Sequence, residues 1–169
     1  MNYFELFDIP VQLKINVASL SKKFFELSKK YHPDYFVKES EQVQGEALEK
    51  SAMLNKAWKT FQTPAATIKY VLQEKGLLLE DEKYELPPDF LMEILDINEQ
   101  VMDMDKTGDT RQLSSIISQL SYQIYEPVKK MVENYNDDTV TQEELLRVKE
   151  YYYKKTYLDR INRELSAGK

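Results

Sequence analysis

Residues 20–36 read LSKKFFELSKKYHPDYF. The stretch begins as an amphipathic helix. Leu20, Phe24, Leu27 and Tyr31 recur at three- and four-residue spacing, with Val17 a turn earlier, so one face is apolar. At about 100° per residue, Lys22, Lys29 and Lys30 fall largely on the opposite side, which makes that side cationic and solvent-facing. Pro33 disfavours the α conformation in the residue before it, so the helix must end near His32. Asn16 is placed to cap its start. A rigid proline turn then presents His32 and Asp34 at the end of a basic rod.

Helical spacing continues on both sides. Tyr3 to Phe7 predicts a short helix stopped before Pro10. Downstream, a helix from about Ser40 to Gln62 carries Leu54, Ala57, Trp58 and Phe61 on one stripe, weakened early by Gly45. Thr63 and Pro64 read as N-cap and first residue of a helix to Lys75, and Gly76 as its stop. The second half predicts three more helices. One runs from Asp89 to Asp105, and one from Asp109 to Tyr135, kinked or interrupted at Pro127. In the latter Leu113, Ile116, Ile117, Leu120 and Ile124 face inward. The last runs from Thr141, paired with Glu144 in a capping box, to Ser166. No strand alternation of useful length and no fixed-period repeat is present. The expected fold is all-α: a helical hairpin core in residues 1–75, a packed linker at 76–88, and an antiparallel three-helix bundle at 89–169. Leu77, Leu78 and Leu79 are expected to pack between the halves.

Composition narrows the chemistry. Of 169 residues, 42% are hydrophobic and 31% charged, enough for a core and a solvated exterior. Zero Cys excludes disulfides, Cys zinc sites, Cys-ligated clusters and a thiol nucleophile, and a single His excludes a multi-histidine metal centre. The net charge of −6 argues against nucleic acid as the main partner. That charge is unevenly spread: residues 1–75 carry +2 and residues 76–169 carry −8, so the halves are expected to meet different partners. No apolar run approaches the roughly 20 residues of a membrane span. The opening MNYFELFDIP has neither the basic head nor the apolar stretch of a signal peptide, which reads as cytosolic.

The HPD tripeptide after a lysine-paired amphipathic helix, an aromatic-bearing helix about 7 residues later and an opening YFELF segment together resemble a J-domain. J-domains are the modules through which co-chaperones engage DnaK-type heat-shock ATPases. With FLMEILDINE at 90–99 in an acidic helical second half, the whole chain resembles the iron–sulfur co-chaperone family HscB. A Gly/Phe-rich stretch and a Cys-rich zinc module are missing, as is the Cys-bearing N-terminal extension of some eukaryotic relatives; the resemblance therefore implies a bacterial, cytoplasmic member. It implies two partners: a DnaK/HscA-type ATPase chaperone and an IscU-like iron–sulfur scaffold protein, with no nucleic acid, no membrane and no cofactor.

The same resemblance supplies candidate residues. His32, Pro33 and Asp34 are expected to contact the chaperone, with Lys22, Lys23, Lys29 and Lys30 steering the encounter. On the Asp89–Asp105 helix, Phe90, Ile94, Ile97, Val101 and Met104 share one stripe at about 100° per residue. Leu91, Leu95 and Met102 lie a quarter to a third of a turn away, with Met92, Asp96 and Glu99 beyond. Spacing alone reads the second stripe as part of one broad apolar face for three-helix packing; the resemblance instead implies that Leu91, Met92, Leu95, Asp96 and Glu99 bind the scaffold. Tyr157, in YLDRI, matches an aromatic position of that site, or else is a half-buried bundle tyrosine. The Tyr151–Tyr153 run reads as packing and surface aromatic area rather than a cofactor box. No nucleophile–base set converges, so no catalysis by the chain itself is expected; the resemblance implies a regulator of a partner ATPase. The rival readings are a general J-domain co-chaperone for unfolded clients and a small helical nucleic-acid-binding protein.

Overall fold

The computed structural model describes residues 1–107 and 111–167, with side chains through Asp103 and from Arg111 to Ser166. Every regular element among them is helical: α1 Tyr3–Phe7, α2 Val17–Lys30, α3 Glu41–Phe61, α4 Pro64–Glu74, α5 Pro88–Thr107, α6 Arg111–Tyr125, α7 Lys129–Glu133 and α8 Gln142–Ala167. Short 3₁₀ turns occupy Pro33–Phe36 and Glu126–Val128. The chain divides into two compact units, Met1–Val71 with Tyr135–Thr139, and Leu72–Asn134 with Val140–Lys169.

In the first unit α2 and α3 form a hairpin closed by α1. Asn2 caps α1 through a reciprocal capping box with Glu5, and the Asn16 and Ser40 side chains cap α2 and α3. Leu20, Leu54, Ala57 and Phe61 are buried. Phe24 stacks on Trp58 at 4.7 Å between centroids, and the rings of Phe4 and Phe7 meet Phe61 at 5.0 and 5.7 Å. Tyr3 stacks on Tyr70 at 4.3 Å while its backbone N–H donates to the Tyr70 hydroxyl. Val17 departs from its expected place: as the first residue of α2 it precedes the packed turns and is 39% exposed.

The stop at Gly76 takes a specific form. Its φ is +71°, its N–H donates to the Gln73 carbonyl, and the Leu77 N–H donates to Leu72. This pair of bonds is a Schellman closure, which needs the left-handed conformation that glycine adopts without a Cβ clash. Of the three following leucines, Leu78 is buried and Leu77 half-buried, but Leu79 stands 67% exposed, against the expectation that all three pack.

In the second unit α5, α6 and α8 share one apolar core. Phe90, Ile94 and Ile97 of α5 meet Leu113, Ile117 and Leu120 of α6 and Leu158 and Ile161 of α8. Val101, Ile116 and Ile124 border it. The helix expected to reach Tyr135 ends at Tyr125. Pro127 has no N–H to continue the ladder, so the chain tightens into a 3₁₀ turn before α7. Thr141 caps α8, its hydroxyl oxygen accepting from the Glu144 N–H at 3.1 Å. The Met104 side chain and Asp109, both named above, lie outside the described residues.

Candidate functional site

α2 ends with the Tyr31 N–H donating to Leu27. His32 then turns to extended backbone, as the following proline requires, with φ −64° and ψ 127°. Its Nδ1 accepts the Asp34 N–H at 3.2 Å, so the imidazole caps the 3₁₀ turn that Pro33 begins. A ring nitrogen that accepts carries no proton, which places the proton of the neutral ring on Nε2. The Tyr35 N–H closes the turn onto the His32 carbonyl at 3.1 Å. These bonds fix the backbone and leave the carboxylate outside: the Asp34 side chain is 85% exposed, with the His32 ring 3.6 Å away. Beside it runs a groove lined by Phe25, Ser28, Lys29, His32, Asp34 and Tyr35.

The lysines separate by environment. Lys22, Lys29 and Lys30 are exposed. Lys29 and Lys30 lie in the last turn of α2, where a positive charge complements the helix dipole. The Lys30 and Lys50 ammonium groups lie 5.4 and 5.2 Å from the Tyr31 ring centroid. Lys23 turns inward: its Nζ donates to the carbonyls of Phe7 at 3.2 Å and Asp8 at 3.0 Å. Asp8 is in the left-handed conformation at the C-cap of α1, so Lys23 fastens the end of α1 to α2.

The second candidate surface is the outward side of α5. While Phe90, Ile94 and Ile97 are at most 3% exposed, Leu91, Met92 and Leu95 are 41%, 63% and 57% exposed. Met102 continues this side, and Asp96 and Glu99 are exposed beside it. The two rows of the helical projection are thus physically distinct, one facing the core and one in water. Tyr157 is half-buried, packs against the bundle core and carries the Arg160 guanidinium 4.7 Å from its ring centroid.

Sequence reasoning missed a polar clamp within the second unit. Glu82, in the segment before α5, accepts from Lys149 of α8 at 2.7 Å and from the Tyr153 hydroxyl at 3.2 Å. Tyr84 stacks on Tyr153 at 4.4 Å. The Lys149 hydrogen bond is the main cause holding the Glu82 carboxyl below its usual range, against partial burial. Burial, reinforced by the Glu82 charge, pushes Tyr153 up to about 12. The Tyr151–Tyr153 run therefore packs, as expected, and its third member also helps hold the segment before α5. The exposed rings of Phe25 and Tyr35 were also passed over, although Phe25 is an apolar residue off the apolar stripe.

A basic helix ending in an exposed HPD turn is followed along the chain by the acidic bundle of α5, α6 and α8. Residues 86–166 match the family described as the HSCB C-terminal oligomerisation domain. The full-length fold is similar to the chaperone HscB from Vibrio cholerae, with 23% identity, 99% of this chain and 96% of that one covered, and a TM-score of 0.75. It is also similar to the human co-chaperone protein HscB, with 24% identity, coverages of 99% and 82%, and a TM-score of 0.80. The family match is thus confined to residues 86–166, while the chain as a whole shares the fold of these two structures.

Proposed function

We propose that this protein is a non-enzymatic co-chaperone of iron–sulfur cluster assembly, which stimulates a DnaK/HscA-type ATPase and delivers an IscU-like scaffold to it. The observation that carries the reading is the exposed Asp34 carboxylate, held by a capped rigid turn at the end of a cationic helix. An ATPase arginine can grip that carboxylate bidentately, with both hydrogen bonds charge-assisted. Lys22, Lys29 and Lys30 steer the approach to an acidic face, a long-range effect that salt screens; Lys23 acts inside the domain instead. Binding then favours the hydrolysis-competent conformation of the ATPase, a population shift to which this chain adds no reacting group.

The outward side of α5 is the second half of the function. Leu91, Met92 and Leu95 supply apolar contact area, and Asp96 and Glu99 select a basic neighbour on the scaffold. Tyr157, half-buried against the core with Arg160 over its ring, packs on the bundle and keeps an accessible edge for the scaffold. Holding chaperone and scaffold on one chain makes delivery effectively intramolecular. The test is ATPase turnover of the chaperone with this chain, with the scaffold, and with both. Synergy with both is expected, and Asp34→Asn is expected to abolish stimulation while leaving circular dichroism unchanged. Full stimulation by the folded Asp34→Asn protein removes the mechanism.

A further inference from the structure

Two large rings stand in water beside the HPD turn: Phe25 is 61% exposed and Tyr35 71% exposed. Neither belongs to the core of its unit, and both line the groove that contains His32 and Asp34. Each is braced by another ring. Phe25 makes an edge contact with Phe24 at 5.7 Å, and Phe24 is itself stacked on Trp58. Tyr35 meets the His32 ring at 6.2 Å and 78°. Rings already held in place lose little freedom on binding, so their contact area converts to affinity with less entropic loss. The exposed cation Lys29 lines the same groove, and exposed Lys22 lies one helical turn before Phe25 on α2. An apolar centre with a charged rim is the usual anatomy of a specific interface, in which aromatic anchors contribute most of the affinity.

We propose that Phe25 and Tyr35 are the apolar anchors of the ATPase-facing surface, receiving an apolar side chain of the chaperone from a patch rimmed by carboxylates. The inference rests on the proposed co-chaperone function and deepens it: Asp34 and the lysines supply charge recognition, while the two rings decide which acidic surface is held. Charge complementarity calls for a carboxylate-rimmed partner and rules out the same face of a second copy, which would bring lysines against lysines. The Asp34 carboxylate in the same groove, the proposed ATPase contact, makes the chaperone the occupant. A second copy docking through its acidic α5 side is the outcome that sedimentation reads.

The test is calorimetric titration of the ATP-bound chaperone with the full chain, Phe25→Ala, Tyr35→Ala and Lys29→Ala, each checked for folding by circular dichroism, at low and at physiological salt. Phe25→Ala is expected to weaken binding about 30-fold at both salt concentrations, as truncation of an interface hot spot does. Tyr35→Ala weakens it in the same salt-independent way. Lys29→Ala instead flattens the salt dependence. Unchanged affinity of Phe25→Ala and Tyr35→Ala, with the unaltered chain binding normally, overturns the anchors and leaves the co-chaperone reading intact. Failure of the unaltered chain to bind overturns both. A dimer of the free chain that Phe25→Ala dissociates in sedimentation makes a second copy the occupant and also overturns the proposal.

Discussion

Ile94 and Leu95 are neighbours on α5 with opposite surroundings, and substituting each by Ala separates folding from recognition. Ile94 is 2% exposed among the side chains of α5, α6 and α8. Truncating it leaves a cavity in a packed core and is expected to cost about 2–5 kcal/mol of stability. Leu95 is 57% exposed, so most of its apolar surface gains nothing from folding. Full burial of a leucine is worth about 1.5–3 kcal/mol. If the exposed part is covered by the scaffold, Leu95→Ala loses about 1–2 kcal/mol of binding, roughly 5- to 30-fold in Kd. Its stability should change by under about 1 kcal/mol. Thermal unfolding followed by circular dichroism and calorimetric titration with the scaffold measure the two quantities on the same samples. A Leu95→Ala protein that melts as early as Ile94→Ala, or that binds the scaffold undiminished, refutes the division of α5 into a core row and a docking row.

Two further outcomes follow from polar contacts. The folded-state pKa of Glu82 lies below its ordinary 4.5, chiefly through Lys149, so its contribution to stability is complete above the ordinary value and is lost as pH falls through the lowered one. Glu82→Gln should therefore lower the thermal midpoint at neutral pH and show a smaller further drop on acidification; an acid branch identical to that of the unaltered chain refutes the linkage. Lys23→Met keeps the aliphatic stem but removes the donor to the Phe7 and Asp8 carbonyls, and about 1 kcal/mol of stability should be lost. The check is urea denaturation, and an unmoved midpoint means the two carbonyls are equally well solvated without it.

Local information carried much of this structure. The helix starts at Asn2, Asn16, Ser40 and Thr141 are short-range hydrogen-bond events, and the stop at Gly76 needs only one residue's backbone freedom. Periodicity separates two rows on α5 but leaves open whether the second widens the core face or stands in water; the family resemblance pointed outward, and Leu91, Met92 and Leu95 are exposed. What could not be read was non-local. Lys23 reaches carbonyls 15 and 16 residues away, and Glu82 meets Lys149 across 67 positions; neither separation follows the helical repeat. Pro127 marked a break, but the 3₁₀ turn and the separate α7 beyond it depend on the tertiary packing of Val128 and Val132, both buried. Val17 and Leu79 show the converse failure: an apolar side chain has no reason to be buried where its backbone lies at an element's edge.

The hydrogen bond at His32 has a consequence for cargo handling. The sole imidazole of the sequence gives Nδ1 to its own backbone, and the chain contains no thiol. Thiolates, and in some centres imidazoles, are the donors that hold iron in its sulfide clusters. On the proposed function, the carrier therefore brings to a cluster-bearing scaffold no thiolate and at most one ring nitrogen. On that proposal, ligation of the cluster stays with the scaffold that carries it and the acceptor that receives it.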